Sequence, residues 1–202
     1  MNRTSAVGVI VCSLALLFAT FTPQARADQS NQATKLDFSQ PVHIPGRTLA
    51  AGTYWFTIMR DNPDRNVVQV WDSKREHLLD TILTVPDYRR HTPSHTVIKF
   101  EERASNQPEA LQAWFYPGDN YGHAFVYSET EAKTIAKHSG HPVLAMRDDI
   151  ASNGSKPAKS AKDSSITAMK NADVSAINAN GQRVDKSQAI QAEPQTQAAS
   201  RH

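Results

Sequence analysis

Thr53-Tyr54-Trp55-Phe56-Thr57-Ile58-Met59 is the stretch on which the fold turns. Its large side chains alternate, so in an extended chain Tyr54, Phe56 and Ile58 project to one side and Trp55 to the other. β-Branched and aromatic residues fill it, which suits a pleated, half-buried surface. The pattern recurs in Val67-Val68-Gln69-Val70-Trp71, where Val68 and Val70 share a face. Working outward, further short candidate strands lie at 36–38, 78–85, 96–102, 111–116 and 123–127. Turn-forming clusters separate most of them: Pro45-Gly46, Asp61-Asn62-Pro63-Asp64, Pro86-Asp87, Asn106-Gln107-Pro108 and Pro117-Gly118-Asp119-Asn120. This spacing predicts a mainly β fold: a single antiparallel β-sandwich of immunoglobulin-like or prealbumin-like type, with a small barrel as the alternative.

All three tryptophans, all five tyrosines and five of the seven phenylalanines lie between Lys35 and Tyr127, so the core belongs there. Ser128-Glu129-Thr130-Glu131 has the form of a capping box, which predicts one short helix over 129–138 ended by Gly140. Residues 143–146 then suit a last edge strand. The folded domain is expected to run from 35 to 150, after a linker at 28–34. From Ala151 to His202 there is no aromatic residue, and Ser, Asn, Gln, Ala and Lys dominate. Such a segment buries too little apolar surface to offset its conformational entropy, so a disordered tail is expected. Ile166, Met169, Val174, Ile177, Val184 and Ile190 are scattered through it without a sustained period.

At the other end, Arg3, an uncharged apolar run over 6–20 and Ala25-Arg26-Ala27 make up a secretory signal peptide, residues 1–27, cleaved between Ala27 and Asp28. The apolar run is shorter than the ~20 residues that cross a bilayer core, which argues against a membrane anchor after cleavage. A periplasmic or secreted location follows. Cys12 is the single cysteine and leaves with the leader, so neither a disulfide nor a cysteine nucleophile is available afterwards. Arg3 and Arg26 leave too, taking the basic count from 22 to 20 against 20 acids. That balance gives no reason to expect a nucleic-acid partner.

The segments 45–56 (Pro-Gly-Arg-Thr-Leu-Ala-Ala-Gly-Thr-Tyr-Trp-Phe), 110–118 (Ala-Leu-Gln-Ala-Trp-Phe-Tyr-Pro-Gly) and 122–127 (Gly-His-Ala-Phe-Val-Tyr) together resemble a family of uncharacterised exported bacterial β-rich proteins over about residues 36–127. The resemblance implies no activity, substrate or catalytic residue. Within it, Leu49-Ala50-Ala51-Gly52-Thr53-Tyr54 is similar to an L-x-A-G-x-Y hairpin lead-in of prealbumin-like and immunoglobulin-like domains. Gly52 can take φ > 0 at that turn, after which alternate aromatics enter the core.

Motifs that carry chemistry are sparse. No Gly-x-Ser-x-Gly elbow or glycine-rich phosphate loop is present. Thr92-Pro93-Ser94 breaks the helix that would align His91 with His95, and His138 and His141 straddle Gly140 without an acidic or sulfur ligand. Neither a metal site nor a cofactor is expected. Arg89-Arg90 is a lone basic pair in a loop. The carboxylates of Asp61, Asp64, Asp72, Asp80, Asp87, Glu101, Glu102 and Asp119 read mostly as turn formers and solvent-facing strand residues.

Two features point to a surface that binds. One is the loop that offers Asp119, Asn120, Tyr121 and His123 between Pro117-Gly118 and the next strand. The same residues also suit a plain tight turn, and on that reading Asp119→Ala costs more stability than His123→Ala. The other is the set Trp55, Trp71 and Trp114, placed by alternation opposite Phe56, Val70 and Phe115. If those partners face the core, the tryptophans face out, where aromatic rings suit sugars or partner proteins. If other elements cover the sheets, both faces are buried. The reading favours a non-enzymatic interaction or binding module with a protein or carbohydrate partner. The alternatives are a carbohydrate-binding module using the tryptophans and a small hydrolase using Asp119, His123 and a strand carboxylate.

Overall fold

The computed structural model describes residues 32–101, 103, 106–154 and 156–190. The leader read at 1–27, residues 28–31 and residues 191–202 lie outside the described residues. The strands in chain order are β1 Ala33–Phe38, β2 Val42–Ile44, β3 Arg47–Leu49, β4 Gly52–Ile58, β5 Val67–Trp71, β6 Leu78–Tyr88, β7 Val97–Glu101, β8 Glu109–Phe115, β9 Tyr121–Phe125 and β10 Tyr127–Ser128. Helix α1 (Glu129–Ser139), β11 (Val143–Met146), α2 (Asp148–Gly154), α3 (Ser164–Lys170), β12 (Ser175–Ile177), β13 (Arg183–Val184) and a 3-10 turn at Lys186–Gln188 follow. The fold is mainly β, and each strand segment expected from alternation is present.

β1, β4, β5 and the first half of β6 form an antiparallel ladder, with Trp55 opposite Trp71 and Val67 opposite Leu83. The second half of β6 pairs instead with β9, from Thr84 opposite Phe125 to Tyr88 opposite Tyr121. β9 pairs with β8, and β8 carries β7 on its other edge. The hairpin of β2 and β3, turned by Gly46 at φ 83°, joins β8 in parallel at Val42 and His43. One long strand therefore serves two ladders whose inner faces meet. Phe56 from the first ladder lies 6.3 Å from both Trp114 and Phe125 of the second, ring centre to ring centre. Leu36, Ile58, Val68, Val70 and Ile82 complete that layer, closed at one end by Tyr127 and by Ala132, Ile135 and Ala136 of α1.

Helix α1 starts as the sequence predicts. The Ser128 hydroxyl accepts the Glu131 amide at 3.2 Å and the Glu131 carboxylate accepts the Ser128 amide at 3.2 Å, so two free donors of the first turn are satisfied. Gly140 ends it at φ 75°, donating its amide to Ala136 O.

Three expectations need correction beyond this point. β11 is no edge strand: it lies between β10 and β12 in a second, four-stranded sheet. Nor is Ala151 the start of a disordered tail, and α1 is not the sole helix. Within 156–190, α3 and the β12–β13 hairpin pack on the molecule, and Ile166, Met169 and Ile177 are buried. The outer face of the second ladder, with Ala113, Phe115 and Ala124, is apolar, and Leu144, Met146, Ala151, Ala158, Ile166 and Met169 cover it. The ordered part also begins earlier than expected, since Gln32 and β1 occupy part of the span read as linker. Among the described residues, no helix is long and apolar enough to cross a membrane.

Candidate functional site

Of the residues the sequence singles out, Asp119 and His123 are brought together, but through a third that it does not single out. His123 lies on β9, on the face between the ladders, and is fully buried. Gln32, itself buried ahead of β1, donates its side-chain amide to the Asp119 carboxylate. Because a carboxylate only accepts, this bond fixes the amide orientation and turns Gln32 Oε1 toward His123 Nε2 at 3.1 Å. Nε2 therefore carries the imidazole proton, and Nδ1 accepts from the Thr84 hydroxyl at 3.3 Å. Burial, aided by the nearby charge of Arg65, pushes the His123 pKa down to about 3.

A neutral, enclosed imidazole with both nitrogens engaged offers no base to a substrate outside. His123 is a core residue, so the expected order of the two alanine substitutions reverses. The Asp119 carboxylate bonds Gln32, while only its amide serves the turn, donating to Tyr116 O at 3.3 Å, with Gly118 at φ 87°. Tyr121 packs edge-on against Tyr88, ring centres 5.8 Å apart, and Asn120 is exposed with its carbonyl accepting the Arg89 amide at 2.8 Å.

The tryptophans divide. Trp114 is fully buried between the ladders and is not a surface residue, contrary to the outward placement that alternation allowed. The cause is that both faces of β8 are covered, Phe115 by the second core and Trp114 by the first. Trp55 and Trp71 do lie on the outer face of the first ladder, directly opposite each other and half-buried. Trp55 donates to Ser73 O at 3.2 Å, and the Arg75 guanidinium sits 5.1 Å from its ring centre. Trp71 donates to the Thr57 hydroxyl at 3.0 Å.

Trp71, Thr57 and Gln69 floor a cleft of about 380 Å³ whose rim carries Arg60, Asp61, Arg75 and Lys159. Its volume falls within the range of small-molecule sites. One wall comes from the segment read as tail. Ala158 lies on the ladder with its carbonyl accepting Gln69 Nε2 at 2.9 Å and its amide donating to the Thr81 hydroxyl at 3.0 Å. Asp61 holds the next turn, accepting the Ser160 hydroxyl at 2.7 Å and the Ala161 amide at 3.0 Å. These two bonds depress the Asp61 pKa, so its carboxylate stays charged.

Sequence reading also missed three buried acids. Asp80, Asp87 and Glu101 are all enclosed rather than solvent-facing. Burial raises the Asp80 pKa to about 7, opposed by the Thr81 amide and by Arg47, whose Nε stands 3.5 Å from it. Burial likewise raises Asp87, opposed by Lys99 at 3.6 Å, and Glu101, opposed by His141 at 3.7 Å. Asp87 and Glu101 line a second cleft, of about 440 Å³, with Gln112, Pro142 and Ala189. An acid within an apolar strand run, as in Leu78-Leu79-Asp80-Thr81-Ile82-Leu83, was the available signal. On the β5–β6 connection, Asp72, Glu76 and His77 bring possible ligand atoms within 4.8 Å of one another. Hairpin bonding accounts for this cluster, since Asp72 accepts the Glu76 amide at 2.8 Å and meets His77 Nδ1 at 2.6 Å.

Compared with known proteins, the chain shows no significant match to any family model, curated protein or solved structure.

Proposed function

We propose that this chain is an exported, non-enzymatic binding module that takes a saccharide in the Trp71 cleft. The scaffold on this reading is a β-sandwich, its two ladders facing across the Phe56–Trp114 layer. Export rests on residues 1–27 and gives a periplasmic or extracellular location.

The observation that carries the reading is Trp71 in the cleft, beside its cross-strand partner Trp55 on the outer face of the sheet. An indole presents a rigid apolar face to a sugar ring and gives up little conformational freedom in doing so. A concave site of this size, with a few polar groups around one aromatic surface, fits a small ring better than a flat protein epitope. The walls are tied by Ala158 and Asp61, so the cleft is formed before a ligand arrives.

Titration of the whole protein with a panel of oligosaccharides, followed by tryptophan fluorescence, tests this. A saturable change is expected for at least one sugar, and calorimetry should show its binding lost in Trp71→Ala, a variant that gives up the Thr57 bond and is checked to be folded by circular dichroism. No saturable response, or one that Trp71→Ala retains, refutes the reading.

A further inference from the structure

Resting on the saccharide reading, we infer that the sugar is an acidic one, a uronate-bearing oligosaccharide whose carboxylates are met by Arg60, Arg75 and Lys159 over the Trp71 floor. Three cations and a single acid, Asp61, stand at this cleft. Asp61 is turned to its own structural bonds with Ser160 and Ala161. Arg60 and Lys159 have no ion-pair partner among the described residues. This excess is local: the chain after leader removal carries equal basic and acidic counts, so it is no by-product of a basic protein.

The uncharged groups point the same way. A neutral sugar is held mainly by amides and hydroxyls that share bonds with its own hydroxyls. Here they are committed within the protein. Gln69 donates to Ala158, Gln32 is shared between Asp119 and His123, and Thr57 accepts from Trp71 and keeps only its own proton to give. Besides that Thr57 proton, the donors left for a ligand are the guanidinium groups of Arg60 and Arg75 and the ammonium of Lys159. Guanidinium groups match a carboxylate with two parallel N–H bonds, while the ring to which a uronate carboxylate is attached has an apolar face for the indole. A phosphate or a bare carboxylate would use the cations and leave the tryptophan without a role.

The test compares uronate trimers, from galacturonate, glucuronate and mannuronate, each with its methyl ester, which keeps the shape and removes the charge. A carboxylate polymer without rings, polyglutamate, is the third probe, and calorimetry on the full-length mature protein reads the affinity. At least one acid trimer is expected to bind about tenfold or more tighter than its ester, as the three rim cations favour the charged form. Arg60→Gln combined with Lys159→Gln should cut the acid's advantage over its ester several-fold at an unchanged thermal midpoint, with Arg75 keeping the remainder. Esters that bind as well as acids, or an acid preference that the double variant leaves undiminished, overturn the inference and leave the saccharide reading standing. Polyglutamate binding as tightly as the trimers overturns it in favour of a plain anion patch. If no trimer binds in either form, the saccharide reading itself falls.

Discussion

Acidification should unfold this protein partly through one residue. His123 is fully enclosed, and its pKa falls from 6.5 to about 3 in the fold. The unfolded chain therefore takes up a proton at this imidazole between those values while the native state does not, and stability falls as pH falls. The contribution is fully present above pH 6.5 and is lost progressively toward pH 3, for a total of about 5 kcal/mol at 1.36 kcal/mol per unit. From pH 7 to pH 4.5 the loss is about 2.5 kcal/mol, a large share of the 5–15 kcal/mol typical of a domain. Urea unfolding of the wild type and His123→Gln at both pH values isolates it, because the other titrating groups cancel in the difference. The stability advantage of the wild type should shrink by about 2.5 kcal/mol on going to pH 4.5. A difference that stays constant across that range refutes the burial argument. A native-state imidazole C–H resonance that titrates near 6.5 would refute it independently.

Asp80 should behave in the opposite sense. Its folded pKa of about 7 lies above the usual 3.8, so its stabilising protonated form is present below the unfolded value and lost as pH rises through 7. Asp80→Asn should thus gain on the wild type by about 4 kcal/mol between pH 4 and pH 8, read by denaturant unfolding at each pH, and an unchanged difference counts against it. Gly122→Ala would set a Cβ 2.4 Å from the Phe115 ring, and a loss of about 1–3 kcal/mol or more is expected in thermal unfolding. Wild-type stability there would mean the ring does not lie on that backbone. Ile166→Ala should cost about 2–5 kcal/mol because its side chain is fully buried, whereas an undocked C-terminal segment would leave stability unmoved.

What the sequence discloses and what it hides follow physical lines. Tyr54, Phe56 and Ile58 announce β4 because a period of two is a local property, and the same holds for Val68 and Val70. β2 and β3 are three residues each, too short for a period to show, and only the Pro45-Gly46 turn between them is legible. Ile166 and Met169 lie on a helix of seven residues, and their burial depends on the apolar outer face of a sheet distant in sequence. No local pattern encodes that. Trp114 shows the limit of alternation: it assigns residues to opposite faces, but not which faces are covered. At the cleft, the outward side of Trp55 and Trp71 is readable, while their register and the wall from Ala158 to Ala161 come from tertiary pairing. Gln32 has no motif about it, yet it joins Asp119 to His123.

The partner change along β6 bears on how the molecule comes apart. Thr84 donates its amide to Asn66 O at 2.8 Å on one edge, and Leu83 accepts the Val126 amide at 3.1 Å on the other. Neighbouring residues of one strand thus bolt the two ladders together, and neither ladder can melt without stripping the other of an edge. The β region should lose structure in a single cooperative step rather than sheet by sheet. Assembly carries the corresponding delay: the second half of β6 must wait for β9, with Thr84 finding Phe125 far along the chain, a non-local closure that places the protein among slow folders.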